Sequence, residues 1–260
     1  MRPKQEGNKG ISSLKPDYND LNKSRTQKIK NMGTTLIAVG NCGYNIANDI
    51  IEAGIITPLH YFVCDTDVDE LQDKILNPKC KTITLPKFEG NPDTNLIPIV
   101  DGIVPEESDL VMICAGLGGM TGSRYAPLIG MSAQILNKKV ISVFATAFRF
   151  EGENVNTRSK WGFLQQQIAS DVSLYQHNDF LLNESVPDEM NKPVVNALKT
   201  LKKKRPILDW ADLSESELKE VIMESARTNC PVMIHNFYSK KFIDLEDRNK
   251  LFNEIIVMNS

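Results

Sequence analysis

Four short, almost unbroken apolar runs punctuate the first half of the chain, at residues 34–39, 59–64, 110–115 and 140–145. Each is strand-length, and none shows the polar alternation of a strand with one wet face. Residues 45–53, 67–75 and 123–136 lie between them and have the character of amphipathic helices. Buried strands alternating with such helices predict a parallel sheet covered on both faces, an α/β fold of Rossmann type. Farther on, residues 158–170 read as a long helix and residues 187–204 as a proline-punctuated segment. Ser214 with Glu217 three residues later predicts a capping box at the start of a helix running to about residue 227. Apolar runs at 231–237 and 251–258 close the chain, and no internal repeat is present.

Residues 1–32 break this pattern. They carry eight Lys and Arg against three Asp and Glu, with almost no apolar periodicity. Such a segment buries too little apolar surface to offset chain entropy, so a disordered basic arm is expected. Its functional alternative is a basic tether for an acidic partner, a membrane or nucleic acid. The remaining residues carry a net charge of −8 within a total of −3, which disfavours a nucleic-acid scaffold working by charge alone. No apolar run approaches the roughly 20 residues that span a bilayer, and no signal-peptide core opens the chain. Five dispersed cysteines form no CxxC pair or zinc spacing, which fits a reducing compartment and an expected cytoplasmic location.

Chemistry concentrates in two glycine-rich turns. The first strand runs into Gly40-Asn41-Cys42-Gly43-Tyr44-Asn45 and then a helix. A strand–turn–helix of this kind gathers free N–H groups and a positive helix end at one spot, which suits phosphate. A tight turn needing positive φ explains the same glycines as well. The third strand leads into a second turn, Gly116-Leu117-Gly118-Gly119-Met120-Thr121-Gly122-Ser123. Two such turns at the carboxyl ends of parallel strands would clasp a polyphosphate, although a packing role for the glycines stays open. Asp65-Thr66-Asp67 ends the second strand, with reach toward a ribose or a metal's water shell; capping of the next helix explains one of the three.

These residues together resemble the nucleotide-binding domain of the FtsZ/tubulin GTPases. Ala115 through Ser123 is similar to the tubulin signature loop AGxGGGTGS/T. Val39-Gly40 through Asn45, with Asn48, is similar to the family's first glycine loop, and Asp65-Thr66-Asp67 to its NTD loop on the ribose side. Gly90-Asn91-Pro92-Asp93 resembles the GNPE of the loop that senses the γ-phosphate. Phe148-Arg149-Phe150-Glu151-Gly152 resembles the FxFEG turn, whose glutamate contacts ribose. Asn178-Asp179-Phe180-Leu181-Leu182 is similar to the NDxLL segment, whose asparagine faces the base, and Leu208-Asp209-Trp210-Ala211-Asp212 to the NxDFAD synergy loop. The seven elements occur in family order over residues 34–213.

The resemblance implies a nucleotide-binding domain over residues 33–213 and a truncated second subdomain, a small α/β remnant, over residues 214–260. It implies GTP or GDP as ligand, with Mg²⁺ held mainly through phosphates and water. The binding residues it implies are Gly40, Asn41, Cys42, Gly43, Asn45, Asp65, Thr66, Gly116, Gly118, Gly119, Met120, Thr121, Gly122, Ser123, Glu151, Asn178 and Asn196. In the family, synergy-loop carboxylates enter the next subunit's site and polarise the attacking water, so Asp209 and Asp212 are the implied catalytic pair. Self-assembly, or assembly with another FtsZ-like protein, follows.

The chain also departs from the family. Met120 and Arg124 stand where the signature loop has glycines, and Arg124 is read either as a phosphate partner or as a solvated side chain. Pro86-Lys87-Phe88-Glu89 replaces the glycines before Gly90. Val155 stands where an arginine is expected, with Arg158 a turn away; Ala197 follows Asn196 in place of a base-reading aspartate. Among other groups, Cys42 is read as a packing or bystander residue rather than a nucleophile, and His177 as an exposed loop residue, with a place near the base as its alternative. The run Lys202-Lys203-Lys204-Arg205 is read as a basic helix end. Two alternatives stay open: a non-polymerising, non-hydrolysing FtsZ-like regulator, and a dinucleotide-binding oxidoreductase with Asp65 on a ribose hydroxyl.

Overall fold

The computed structural model describes residues 33–72, 74, 80–87, 102–178, 190–214, 216, 217, 219–221 and 232–236, without the side chains of 208, 211, 212 and 232–236. The expected arm at 1–32, the loop at 90–93 and most of 214–260 lie outside these residues. The described strands form one sheet in the order β3-β2-β1-β4-β5-β6-β7. They are β1 (Gly33–Val39), β2 (His60–Asp65), β3 (Lys81–Thr84), β4 (Ser108–Gly116), β5 (Lys139–Ala145), β6 (Val172–Gln176) and β7 (Val232–Asn236). The first six are parallel; β7 pairs antiparallel with β6, Val172 opposite Asn236. The apolar run at 231–237 thus extends this same sheet. The short, half-polar β3 and the serine-bearing β6 carry too little apolar sequence to stand out before folding.

The helices are α1 (Gly40–Glu52), α2 (Val68–Gln72), α3 (Met120–Ile135), α4 (Glu153–Ile168) and α5 (Lys192–Lys204). Successive strand residues point to opposite faces, so each buried strand serves two cores. Leu36, Ala38, Met112, Val143 and Leu174 pack with Ile46 and Ile50 of α1 and Val194, Leu198 and Leu201 of α5. Ile37, Val39, Ile113 and Phe144 pack on the other side with Tyr125, Leu128 and Ile129 of α3 and Phe163 of α4. The result is the three-layer α/β arrangement the alternation implies. Helix α3 is buried along most of its length because α4 covers the side that the sheet does not.

Three helices begin earlier than their apolar spacing suggests: α1 at residue 40 rather than 45, α3 at 120 rather than 123, and α4 at 153 rather than 158. The glycine-rich stretches are therefore first helical turns more than loops. Chain direction in a parallel sheet then fixes where things lie. Every helix that follows a parallel strand starts at the strands' carboxyl edge. Met190, just before α5, accepts a bond from Gln176 Nε2 at the end of β6, 2.7 Å away. Lys202, near the far end of α5, donates to the Gly54 carbonyl just past α1. Helix α5 therefore runs from the carboxyl edge of the sheet to the opposite one.

Candidate functional site

The sheet order makes β1 and β4 neighbours, with the chain leaving β1 toward β2 and leaving β4 toward β5. This reversal opens a crevice at the carboxyl edge, where open α/β sheets take ligands. Val39 and Ala115 are in register there. The turn after each leads directly into a helix, α1 or α3. Neither helix has a side-chain cap, so first-turn N–H groups of both lack partners within their helices. The two starts nearly touch: a Cβ on Gly40, whose φ is +75°, would lie 3.8 Å from Gly122 N.

The glycines divide by role. A Cβ on Gly43 would fall 2.3 Å from the Cys114 carbonyl oxygen, and one on Gly122 would fall 2.2 Å from the Gly116 carbonyl oxygen. A Cβ on Gly116 would strike Cys42. These three let helix and strand backbones close on one another, so packing accounts for them. Gly119 differs, because a Cβ there would meet nothing within 4 Å. It faces open space at the start of α3. Gly118, at φ +112°, is held by its neighbours: its N–H donates to Ser123 Oγ at 2.7 Å and its carbonyl accepts from Arg158 Nε at 2.9 Å. Ser123 thus braces the loop from within.

Asp65, Thr66 and Thr121 join β2 to this loop. Asp65 is 5% exposed, and its Oδ1 accepts from Thr66 N (2.7 Å), Asp67 N (3.3 Å) and Thr121 Oγ1 (3.1 Å). The Thr66 and Thr121 hydroxyls lie 2.8 Å apart. Asp67 accepts from the N–H groups of Asp69 and Glu70, so it is the member of the trio that caps α2. Among the described residues no three His, Cys, Asp or Glu side chains cluster as a metal cage. Asp65 and the two threonine hydroxyls are instead hard oxygen donors beside the start of α3, a set compatible with a hydrated Mg²⁺.

Beyond this centre, Glu151 lies in the 3-10 turn Arg149–Glu151 at the end of β5, and its carboxylate accepts the Phe148 N–H at 2.8 Å. Cys42 Sγ packs against Gly116. The residue is exposed, yet desolvation of its thiol, then the nearby Glu151 carboxylate, pushes it up to about 11, which keeps it protonated at neutral pH. Asn178 is buried after β6, its Oδ1 accepting from Gln176 Nε2 at 3.1 Å. Asn196 is exposed on α5, whereas Ala197 beside it is buried in the core. Asn41 and Asn45 are exposed on the first turns of α1, and Met120 is 46% exposed at the start of α3.

Two expectations need correction. Arg124 is not solvated; it is 7% exposed, and burial, followed by the charge of Arg158, lowers its proton affinity. His177 is not an exposed loop residue but half-buried, on the wall of a cavity of about 600 Å³ whose lining also includes Arg149, Lys160, Phe163 and Tyr175. The basic run at 202–205 serves the fold. Lys202 holds Gly54, Lys204 pairs with Glu220, and Arg205 Nε lies 2.9 Å from Glu217.

The expected catalytic pair is not at the glycine loops. Asp209 and Asp212 belong to the 3-10 turn Ile207–Asp212, which follows α5 at the opposite edge of the sheet. Fully buried Trp210 anchors that turn through Nε1 on the Arg205 carbonyl. Sequence reasoning did not foresee the Arg158–Gly118 bond or the Asp65–Thr121 link, since both join elements far apart in the chain.

No family model matches the chain. A cell division protein FtsZ from Haloferax mediterranei is 31% identical over 184 residues, covering 63% of this chain and 48% of that protein. The chain spans less than half the length of such curated relatives. An FtsZ dimer from M. jannaschii superposes with a TM-score of 0.60 at 18% identity, over 82% of this chain and 74% of that one. A GDP-bound monomer of CetZ1 from Haloferax volcanii gives 0.53 at 20% identity, over 75% and 64%. At these identities the structural likeness speaks to the fold.

Proposed function

We infer that this chain, a divergent FtsZ/tubulin-family protein, binds a guanine nucleotide at the carboxyl edge of its sheet and hydrolyses GTP through assembly. The observation that carries the reading is the pair of uncapped, glycine-led helix starts meeting at the β1–β4 switch point. Phosphates sit at these starts, where helix dipoles and unpaired N–H groups favour negative charge. Glu151 takes the ribose side, and Asn178 and Asn196 take the base. The GDP in the CetZ1 neighbour supports this choice of ligand. Asp65 and Thr121 would hold the water shell of a Mg²⁺ ion, which when bound with the nucleotide would offset charge on the phosphates.

Base selection is weaker than a buried carboxylate would give. Ala197 points into the core, so no acidic group at that position reads the guanine edge. Asp209 and Asp212 lie too far along α5 to serve their own chain's nucleotide. They act by entering the site of a second copy stacked on this edge, orienting water there.

Calorimetric titration with GTP, GDP, ATP and NAD in Mg²⁺, with light scattering on the same samples, tests the reading. Guanine-nucleotide binding with GTP-dependent scattering is expected. Binding without scattering would leave a nucleotide-binding regulator, and NAD binding alone would make the fold a dinucleotide site.

A further inference from the structure

Neither the glycine loops nor the Asp209–Asp212 turn uses the cavity of about 600 Å³ on whose wall His177 lies. It sits across the sheet from the residues given to the base. Side chains alternate along a strand, and at the end of β6 they sort between the two layers. Leu174 packs in the α1–α5 layer, and Gln176 Nε2 donates to the Met190 carbonyl before α5 and to Asn178 Oδ1. Tyr175 packs in the α3–α4 layer and, with His177, lines the cavity. Among the described residues the wall includes neither Glu151 nor Asn178.

The walls are fixed before any ligand arrives. Ser159 of α4 accepts the Ala147 N–H at the end of β5, 3.1 Å away. Asn156 Nδ2 donates to the carbonyls of Phe148, Arg149 and Gly152 at 3.1, 3.1 and 2.8 Å, tying the turn after β5 to α4. The buried side is aromatic. Phe163 and Tyr175 meet edge to face with ring centroids 4.5 Å apart, and Phe144 stacks on Tyr175 at 5.7 Å. The exposed side carries Arg149 and Lys160 against Glu153, an excess of positive charge even with His177 neutral. Lys160 makes no ion pair among the described residues. A preformed hollow of this size, apolar at its base with a few charged groups, is the usual form of a small-molecule site. Its rings favour a flat aromatic partner, and its cations favour an acid over a base.

We propose that this cavity binds a flat aromatic anion, a ring system carrying one carboxylate or sulfonate, with the rings against Phe163 and Tyr175 and the acid group at Lys160. The site is separate from the glycine cradle and does not depend on the nucleotide reading.

The test is fluorescence titration of the full chain with anilinonaphthalene sulfonate, followed by displacement with naphthoate or its neutral amide, naphthamide. Saturation at a single probe per chain is expected, with naphthoate displacing it at about a tenth of the concentration that naphthamide needs. Lys160 is exposed, so its substitution should leave the thermal melt unchanged. Lys160→Met should cut the preference for the acid roughly threefold, and Lys160→Glu should abolish it. Phe163→Leu should weaken acid and amide alike. An acid preference that survives Lys160→Glu would overturn the proposal. Displacement of the probe by GTP or inorganic tripolyphosphate would do the same, by placing it in the glycine cradle. Several probes per chain that naphthoate does not displace would reduce the cavity to ordinary apolar surface. A chain that binds the probe as expected but no nucleotide would sink the nucleotide reading alone.

Discussion

At the scale of single residues, the glycines of the second loop separate folding from binding. Gly122 faces the Gly116 carbonyl so closely that any Cβ must push backbone aside. Gly122→Ala is expected to destabilise the chain by roughly 1–3 kcal/mol, read as a drop of several degrees in the melting temperature. Gly119 has ordinary extended backbone at φ −68° and open space before it. Gly119→Ala should therefore melt within about 0.5 kcal/mol of wild type yet bind GTP more weakly, since its methyl occupies the phosphate side. A Gly119→Ala chain that melts early would show the loop to be tighter than it looks. The sequence announces eight residues of loop but not this division of labour. What separates Gly119 from Gly122 is the distance to a strand or helix elsewhere in the chain. The same limit hides Arg124: its number says only that a family glycine has been replaced, whereas its burial depends on α4 packing over α3.

At the scale of elements, helix ends are the most legible and the most easily misplaced features. The Ser214–Glu217 box is plain in sequence and present in the structure: Ser214 N donates to Glu217 Oε2 at 2.8 Å, and Glu217 N to Ser214 Oγ at 3.4 Å. Arg205, at the end of α5, adds a bidentate pair to the same carboxylate, with bonds of 2.9 and 3.2 Å. The Ser214 hydroxyl and N–H, then Arg205, hold the Glu217 carboxyl down to about 2. A carboxyl lowered in the folded chain contributes stability that is complete above its unfolded pKa and fades as pH falls from there toward about 2. Glu217→Gln is therefore expected to melt below wild type at pH 7, with the gap closing as pH drops below about 4.5. A gap constant with pH would mean that the box acts through shape alone. The starts of α1, α3 and α4 were misplaced for the opposite reason. Glycine, asparagine and threonine carry no apolar periodicity, so first turns rich in them read as loop although the backbone is already helical. The functional amides lie in those turns.

At the scale of the whole molecule, one geometric fact governs the mechanism: α5 carries the chain from the edge with the glycine loops to the edge with Asp209 and Asp212. A chain acting alone has phosphates at one end and carboxylates at the other. On the proposed reading, turnover belongs to the junction between two copies stacked head to tail, a heterologous contact that repeats along a filament. The rate per chain should then rise with protein concentration and level off once assembly is complete. Mixing separates this from a slow reaction within one chain. One variant carries Asp209→Ala and Asp212→Ala, keeping the nucleotide site; the other carries Gly119→Val, filling the cradle and keeping the carboxylates. Each alone should hydrolyse GTP at a small fraction of the wild-type rate. In an equal mixture that assembles at random, about one junction in four joins an intact cradle to intact carboxylates, so about a quarter of wild-type turnover should return. A mixture no faster than its two components would place the chemistry elsewhere, and a wild-type rate independent of concentration would do the same without any variant. Because both carboxylates sit on a turn anchored by fully buried Trp210, the double alanine variant should keep the fold, leaving the mixing experiment free of a trivial failure.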